Sequence, residues 1–238
     1  MTEKQNRILH LLMAGILLVS MYMIAGRGAV YVNSRQVSDK MVLPEKEVCV
    51  VIDPGHGGAD PGKVGINQAL EMDVNLQIAK MLKTFLETEG INVVMTREDA
   101  SGLYDENASN KKVQDMKRRL QLIEETDPLL IVSIHQNSYH EEYVKGAQVF
   151  YYATSEKSKL LAELIQESLR ELDPENHRKA KGNDSYYLLK KTNKPIVIAE
   201  CGFLSNAGEA DKLITPFYQE KIAFKIHMGI MKYLSALH

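Results

Sequence analysis

Several side chains able to do chemistry stand where apolar, β-branched runs of this 238-residue chain stop. His56 follows the run VCVVID inside DPGHGG, His135 closes LLIVSIH, and Glu200 closes PIVIAE. Glu71 opens a long apolar-patterned stretch close behind the first of these. Two imidazoles and a carboxylate are a common ligand set for catalytic zinc, leaving a fourth position for water or substrate. Taken singly, each signal is weak. A histidine at a strand end is usually a hydrogen-bonded core or cap residue, and a glutamate in a helix's first turn usually just complements the macrodipole. Their recurrence beside Gly55, Gly57 and Gly58 gives the metal reading its weight, because those glycines permit positive φ and a close backbone approach around His56. A phosphate-binding loop is the rival reading of DPGHGGADPGKVG, but the Gly-Lys-Ser/Thr ending of such loops is missing. Cys201, next to Glu200, suggests a nucleophile working with His56 or His135; a small residue packed into a strand end is the simpler reading. Whether Cys49 and Cys201 are bonded stays open, since strand register cannot be read from sequence. His140, His177, His227 and His238 read as surface or packing residues.

These groups need a scaffold, and the pattern supplies one. Residues 48–53, 91–96, 129–135, 146–152 and 195–200 read as strands, and 185–190 as a short strand or strand-like turn. Between and after them, helical spacing covers 70–89, 111–125, 157–172, 209–214 and 217–237, with Gly90 ending the first helix. Strands apolar on both faces, separated by amphipathic helices, imply a sheet covered on both sides. The expected fold is therefore a single α/β domain with a mostly parallel or mixed sheet of about six strands. Ligands in open α/β sheets bind at the carboxyl ends of the strands, where His56, His135 and Glu200 fall. The polar stretches 99–110 and 173–184 are the expected substrate-facing loops.

Composition sets the remaining bounds. With 45% apolar and 25% charged residues the chain is of ordinary globular type. Twenty-nine Lys and Arg against 31 Asp and Glu leave no basic excess to track a phosphate backbone, so no nucleic-acid partner is expected. The absence of Trp argues against a carbohydrate module built on Trp platforms. Residues 1–28 carry Lys4 and Arg7 ahead of an apolar run from Leu11 to Ala25, the pattern of a signal peptide or an uncleaved N-terminal membrane anchor. Residues 29–47 read as a tether, and 48–238 as the catalytic domain. The expectation is an exported chain that meets the membrane only through its N-terminal segment.

The strings VVIDPGHGGADPGKVG, LEMDVNLQIAKMLKTFLETEGINVVMTRE, IVSIHQNS and KPIVIAECGFLSN, in that order, resemble the zinc-dependent N-acetylmuramoyl-L-alanine amidases of the Amidase_3 family. The resemblance runs from about Val48 to Tyr233. DPGKVG and KVQDMKRR look most like its CwlD-type, germination-specific branch. It implies one Zn²⁺ held by His56, Glu71 and His135, with Glu200 as the catalytic base. Glu200 would take a proton from water and pass it to the leaving alanine nitrogen. The implied substrate is peptidoglycan, cut between the lactyl group of N-acetylmuramic acid and L-alanine. In this branch the setting is the spore cortex, on the route to muramic-δ-lactam, at the forespore or spore envelope. Asn137 and Arg97 read as residues that contact substrate or support the site from behind, with a structural role the simpler reading of each, since an arginine after a strand usually anchors a loop. Gln136 departs from the alanine common at that position and touches only the fine substrate contacts. An accessory protein that aids metal loading is compatible with such a site, though nothing in the sequence requires one. A zinc carboxypeptidase acting on peptide stems is a weaker alternative, because the fifteen-residue step from His56 to Glu71 is not the HxxE pair of those enzymes. A wall-binding protein without activity is weaker still, because all four site residues are present.

Overall fold

The computed structural model describes residues 48–237, together with Met13. The predicted signal or anchor segment 1–28, the tether 29–47 and His238 lie outside the described residues, Met13 apart. Among the described residues, no helix is long and apolar enough to cross a membrane.

Six strands form one sheet in the order β2-β1-β3-β6-β4-β5. They are β1 (Cys49–Pro54), β2 (Asn92–Met95), β3 (Leu130–Asn137), β4 (Gln148–Tyr152), β5 (Lys181–Asn183) and β6 (Ile196–Phe203). β1, β2, β3 and β6 run parallel; β4 pairs antiparallel with β6 and parallel with β5. Every residue of β6 is buried, as are most of β1 and β3. That explains their unbroken apolar runs: a strand covered on both faces has no solvent side on which to place polar residues.

The helices are α1 (Glu71–Thr88), α2 (Lys111–Thr126), α3 (Glu156–Arg170), α4 (Tyr187–Lys191), α5 (Ala207–Leu213) and α6 (Pro216–Ala236). On one face α6 packs against both α1 and α3, which themselves lie on the sheet. On the other, Val51, Ile131, Phe150, Ile196 and Ile198 form a core with Ile123 of α2 and Leu188 and Leu189 of α4. The expected two-sided mixed sheet is thus the fold, and the helix ends follow local chemistry. Asn110, Ser155, Asn206 and Thr215 each cap the following helix by accepting a main-chain N–H, and Gly90 adopts φ 77 just beyond α1.

One element differs from expectation. Residues 185–190 are not a strand: 187–191 form α4, and β5 lies earlier, within the stretch 173–184 that reads as a loop. The cause is local. The Asn183 side chain accepts from the N–H groups of Ser185 and Tyr186, turning the chain where a strand would have continued. The following helical turn buries the adjacent Leu188 and Leu189 on the same core, which a strand could not do. β5 carries no apolar signal because it joins the sheet by main-chain pairing alone, Lys181 to Asn183 against Phe150 to Tyr152.

Helix α6 approaches α3 closely at Gly229, where an added Cβ would lie 2.6 Å from the Ile165 Cα. A main-chain atom of a packed helix cannot yield cheaply, so Gly229→Ala is expected to destabilise the domain by about 1–3 kcal/mol. A urea midpoint that falls with an unchanged slope would register that loss; an unmoved midpoint would refute the close approach.

Candidate metal centre and cleft

The carboxyl ends of β1, β3 and β6 open onto a cleft of about 510 Å³, lined among others by His56, Asp60, Glu71, His135, Asn137, Tyr186 and Glu200. A second cavity of about 360 Å³ lies at the opposite ends of the strands, against Val48, Leu129 and Pro195, and brings no histidine to its walls.

Glu71 is the centre of the arrangement. It sits at the start of α1, is 2% exposed, and its Oε1 lies 3.2 Å from His56 Nε2 and 3.0 Å from His135 Nδ1. One ligand atom from each of these three residues falls within 4.8 Å of the others. The same Oε1 accepts the Gln136 N–H, and Oε2 accepts the Lys63 N–H at 2.8 Å. Burial opposes the charge on Glu71, but hydrogen bonds and charge from His135 and His56 outweigh it and hold the carboxyl well below its usual range. An ionised oxygen facing two imidazole nitrogens is a donor set that fits a divalent cation of zinc type. His56 is also oriented from behind: its Nδ1 lies 3.0 Å from Asp60 Oδ2, the carboxylate contact that leaves Nε2 for a ligand.

Glycines make room for this set. A Cβ on Gly55 would fall 2.1 Å from the His135 ring, and one on Gly62, at φ 69, would lie 2.6 Å from Glu71 Oε2. His56 itself has φ 64, a conformation non-glycine residues seldom adopt. Two buried arginines hold it there. Arg119, reaching up from α2, donates to the His56 and Pro54 carbonyls and pairs with Asp53 at 2.6 Å. Arg97 donates to the carbonyls of Pro54, Gly55, Met72 and Asp99.

Of the two readings of Arg97, substrate contact or anchoring of a loop, this arrangement is the second. Arg97 is 4% exposed, does not line the cleft, and its guanidinium is committed to the main chain of the His56 loop. Asn137 does line the cleft, beside Ser138. Gln136 has its Nε2 on Asn75 Oδ1 and its main-chain N–H on Glu71.

Glu200 stands directly across from His135 in the β3–β6 pairing, just before an irregularity that re-aims the strand ends. Burial pushes its carboxyl up to about 7, against the opposing influence of His135. Its Oε1 meets the Tyr186 hydroxyl at 3.4 Å, while its buried Oε2 has no hydrogen-bond partner. A buried, unpartnered carboxylate oxygen at the rim of three clustered ligands fits a group that meets water or substrate. Cys201, by contrast, is buried, with its thiol pushed up by that burial, and is no nucleophile. It forms no disulfide with Cys49.

The stretches 99–110 and 173–184 do not line the cleft; Lys112 and Tyr186, just past their ends, do. Asp60, Lys63, Lys112 and Tyr186 line the cleft without having been singled out as site residues, although Asp60 and Lys63 fall in DPGKVG and Lys112 opens KVQDMKRR.

The family model for N-acetylmuramoyl-L-alanine amidases, Amidase_3, matches residues 50–232. The chain belongs to this family. It is 38% identical over 196 residues to the germination-specific N-acetylmuramoyl-L-alanine amidase of Bacillus subtilis, covering 81% of this chain and 82% of that one. Among solved structures it resembles the CwlD amidase of Clostridioides difficile, solved in complex with the GerS lipoprotein. The TM-score is 0.78 at 41% identity, covering 79% of this chain and 99% of that one. The catalytic domain of CwlV from Bacillus (Paenibacillus) polymyxa var. colistinus gives 0.70 at 29% identity, covering 79% and 98%.

Within this amidase, the Asp53–Arg119 pair beneath the His56 loop makes a stability prediction. Burial opposes the Asp53 charge, but Arg119 and hydrogen bonds from Ser133 and Thr96 win and bring its carboxyl from 3.8 down to about 2. A depressed folded value stabilises fully above the unfolded value and is lost as pH falls through the folded one. Stability should therefore decline between pH about 4 and 2. Asp53→Asn should lower it by up to about 3–5 kcal/mol at neutral pH, because Asp115 alone would then balance the buried Arg119. Unfolding curves across that pH range test both; a variant as stable as the parent would show that the pair does not anchor the loop.

Proposed function

We propose that the chain is a zinc-dependent N-acetylmuramoyl-L-alanine amidase acting on peptidoglycan outside the cytoplasm. In this reading His56, Glu71 and His135 hold one Zn²⁺, and Glu200 is the catalytic base. The observation that carries it is the convergence of two imidazole nitrogens on one ionised carboxylate oxygen, with the unpartnered Glu200 Oε2 close by. The likeness to the germination-specific relative supports spore-cortex peptidoglycan as substrate, on the route to muramic-δ-lactam. It also supports action at the forespore or spore envelope, with the segment 1–28 as signal peptide or anchor. The CwlD structure with its lipoprotein supports an accessory protein for this chain too.

When bound, zinc supplies Lewis acidity toward water and the amide carbonyl. The residues of the chain do the rest. Asp60 fixes the His56 ring, the two imidazoles favour the ionised form of Glu71, and the main-chain N–H groups of Lys63 and Gln136 orient it. Glu200 accepts a proton from the attacking water at Oε2 and returns it to the alanine nitrogen as the amide C–N bond breaks. Tyr186 keeps the other oxygen turned away from that exchange. Asn137 offers a polar contact for substrate on the neighbouring wall.

Incubated with purified sacculi, the protein should release intact stems that begin with L-alanine and leave free lactyl groups on the glycan. Shortened stems with the lactyl amide uncut would favour a carboxypeptidase instead. Glu200→Gln should retain metal and lose on the order of 10²–10⁴ in kcat, whereas His56→Ala should lose both. Equal metal loss in the two variants would make Glu200 a ligand. A chelator should silence the enzyme and Zn²⁺ should restore it; activity indifferent to chelation would end the metal reading.

A further inference from the structure

Two cations line the cleft beside His56: Lys63, in the loop after β1, and Lys112, in the first turn of α2. Asp60 and Glu71 on that side are engaged with His56, while Glu200 lines the cleft with the neutral Asn137, Ser138 and Tyr186. Lys112 is 73% exposed, its ammonium reaching Asp60 Oδ2 at 3.4 Å, so it stands at the mouth and is only partly neutralised. Lys63 is exposed, and among the described residues no carboxylate pairs with its ammonium. Its main chain is fixed by Glu71, which accepts its N–H and donates an N–H to its carbonyl, so the side chain emanates from a rigid point beside the reacting centre. A cation on a rigid base at the edge of a cleft is a ready partner for an anion on the ligand.

We infer that Lys63, assisted by Lys112, is a specificity-determining residue that pairs with a carboxylate of the substrate's peptide stem. This rests on the amidase reading. In that reaction the lactyl carboxyl is consumed in the amide to be cut, and the sugars are uncharged, so the substrate's negative charge resides on the stem. The lysine wall then sets direction: the stem lies over the His56 side, and the glycan lies toward Asn137, Ser138 and Tyr186, whose groups suit hydroxyls and acetamides. The amide is thereby presented with its alanine nitrogen on the lysine side.

The test compares two probes on the zinc-loaded enzyme: an N-acetylmuramoyl peptide with free stem carboxylates, and the same compound with those carboxylates amidated. The wild-type enzyme should prefer the free acid through a lower KM, on the order of 5-fold per lysine, with the preference shrinking in high salt. Lys63→Met should lose most of that preference at unchanged zinc content, Lys63→Arg should keep it, and Lys63→Glu should reverse it. Lys112→Met should show a smaller loss. A Lys63→Met enzyme that still prefers the free acid, or a wild type that cleaves both probes equally, would overturn the carboxylate pairing while leaving the amidase reading intact. A wild type that cuts the lactyl amide of neither probe would overturn the amidase reading itself, and this inference with it.

Discussion

A carboxylate buried almost completely among apolar strands must be surrounded by donors, or the fold cannot keep it ionised. Glu71 is that group, and much of the local architecture reads as provision for it. Its two oxygens collect the N–H groups of Lys63, in the loop after β1, and of Gln136, within β3, together with two imidazoles and the Asn75 amide. Meeting that demand forces β1, β3 and α1 into one relative placement. The turns at Gly55 and Gly62 exist because any side chain there would occupy the space of the His135 ring or of Glu71 itself.

A second constraint lies one layer down. His56 departs from ordinary backbone geometry, and such strain, about 1–3 kcal/mol, persists only where the surroundings over-determine it. Here two guanidinium groups do so from below, each donating to carbonyls of the loop, and the charge of Arg119 is balanced by Asp53 and Asp115. Burial opposes the charge of Arg119, but these partners outweigh it and raise the guanidinium above its ordinary range, so it stays charged in the interior. Arg97 is brought down to about 10, chiefly by burial and by the neighbouring Arg119, and still carries its charge at neutral pH. The two arginines arrive from the end of β2 and from α2, which explains why these peripheral elements matter to a site that α2 lines only through Lys112.

What could be read in the sequence followed from strong local signals. Continuous apolar runs announced β1, β3 and β6, and residues at their ends announced His56, His135 and Glu200, because strand ends and cleft coincide in this sheet type. The short edge strand β5 and the helix α4 were hidden. One depends on main-chain pairing with β4, and the other on an asparagine side chain that turns the chain two residues later. Arg97 stayed ambiguous for a related reason. An arginine after a strand can anchor a loop or reach substrate, and only the third dimension reveals the carbonyls of Pro54, Gly55, Met72 and Asp99 within its reach. Asp60, Lys63 and Lys112 left no periodic trace, since loop residues and the exposed first turn of a helix obey no packing period.

Two glutamates within one cleft end up with opposite behaviour, and the fold accounts for the difference. Glu71 is given donors on both oxygens and stays ionised far below the usual range; Glu200 is buried with one long contact from Tyr186, and that burial raises its pKa to about 7. Separating two carboxylates in this way produces one group suited to holding positive charge and one suited to exchanging a proton near neutrality. A cation lodged at Glu71 would pull the Glu200 value down again, toward the ionised form that a base requires before it accepts a proton. The division of labour between the two is therefore set by the two imidazoles that face Glu71 and by the burial of Glu200, and the register that places Glu200 opposite His135 is what brings the two environments within reach of a single amide.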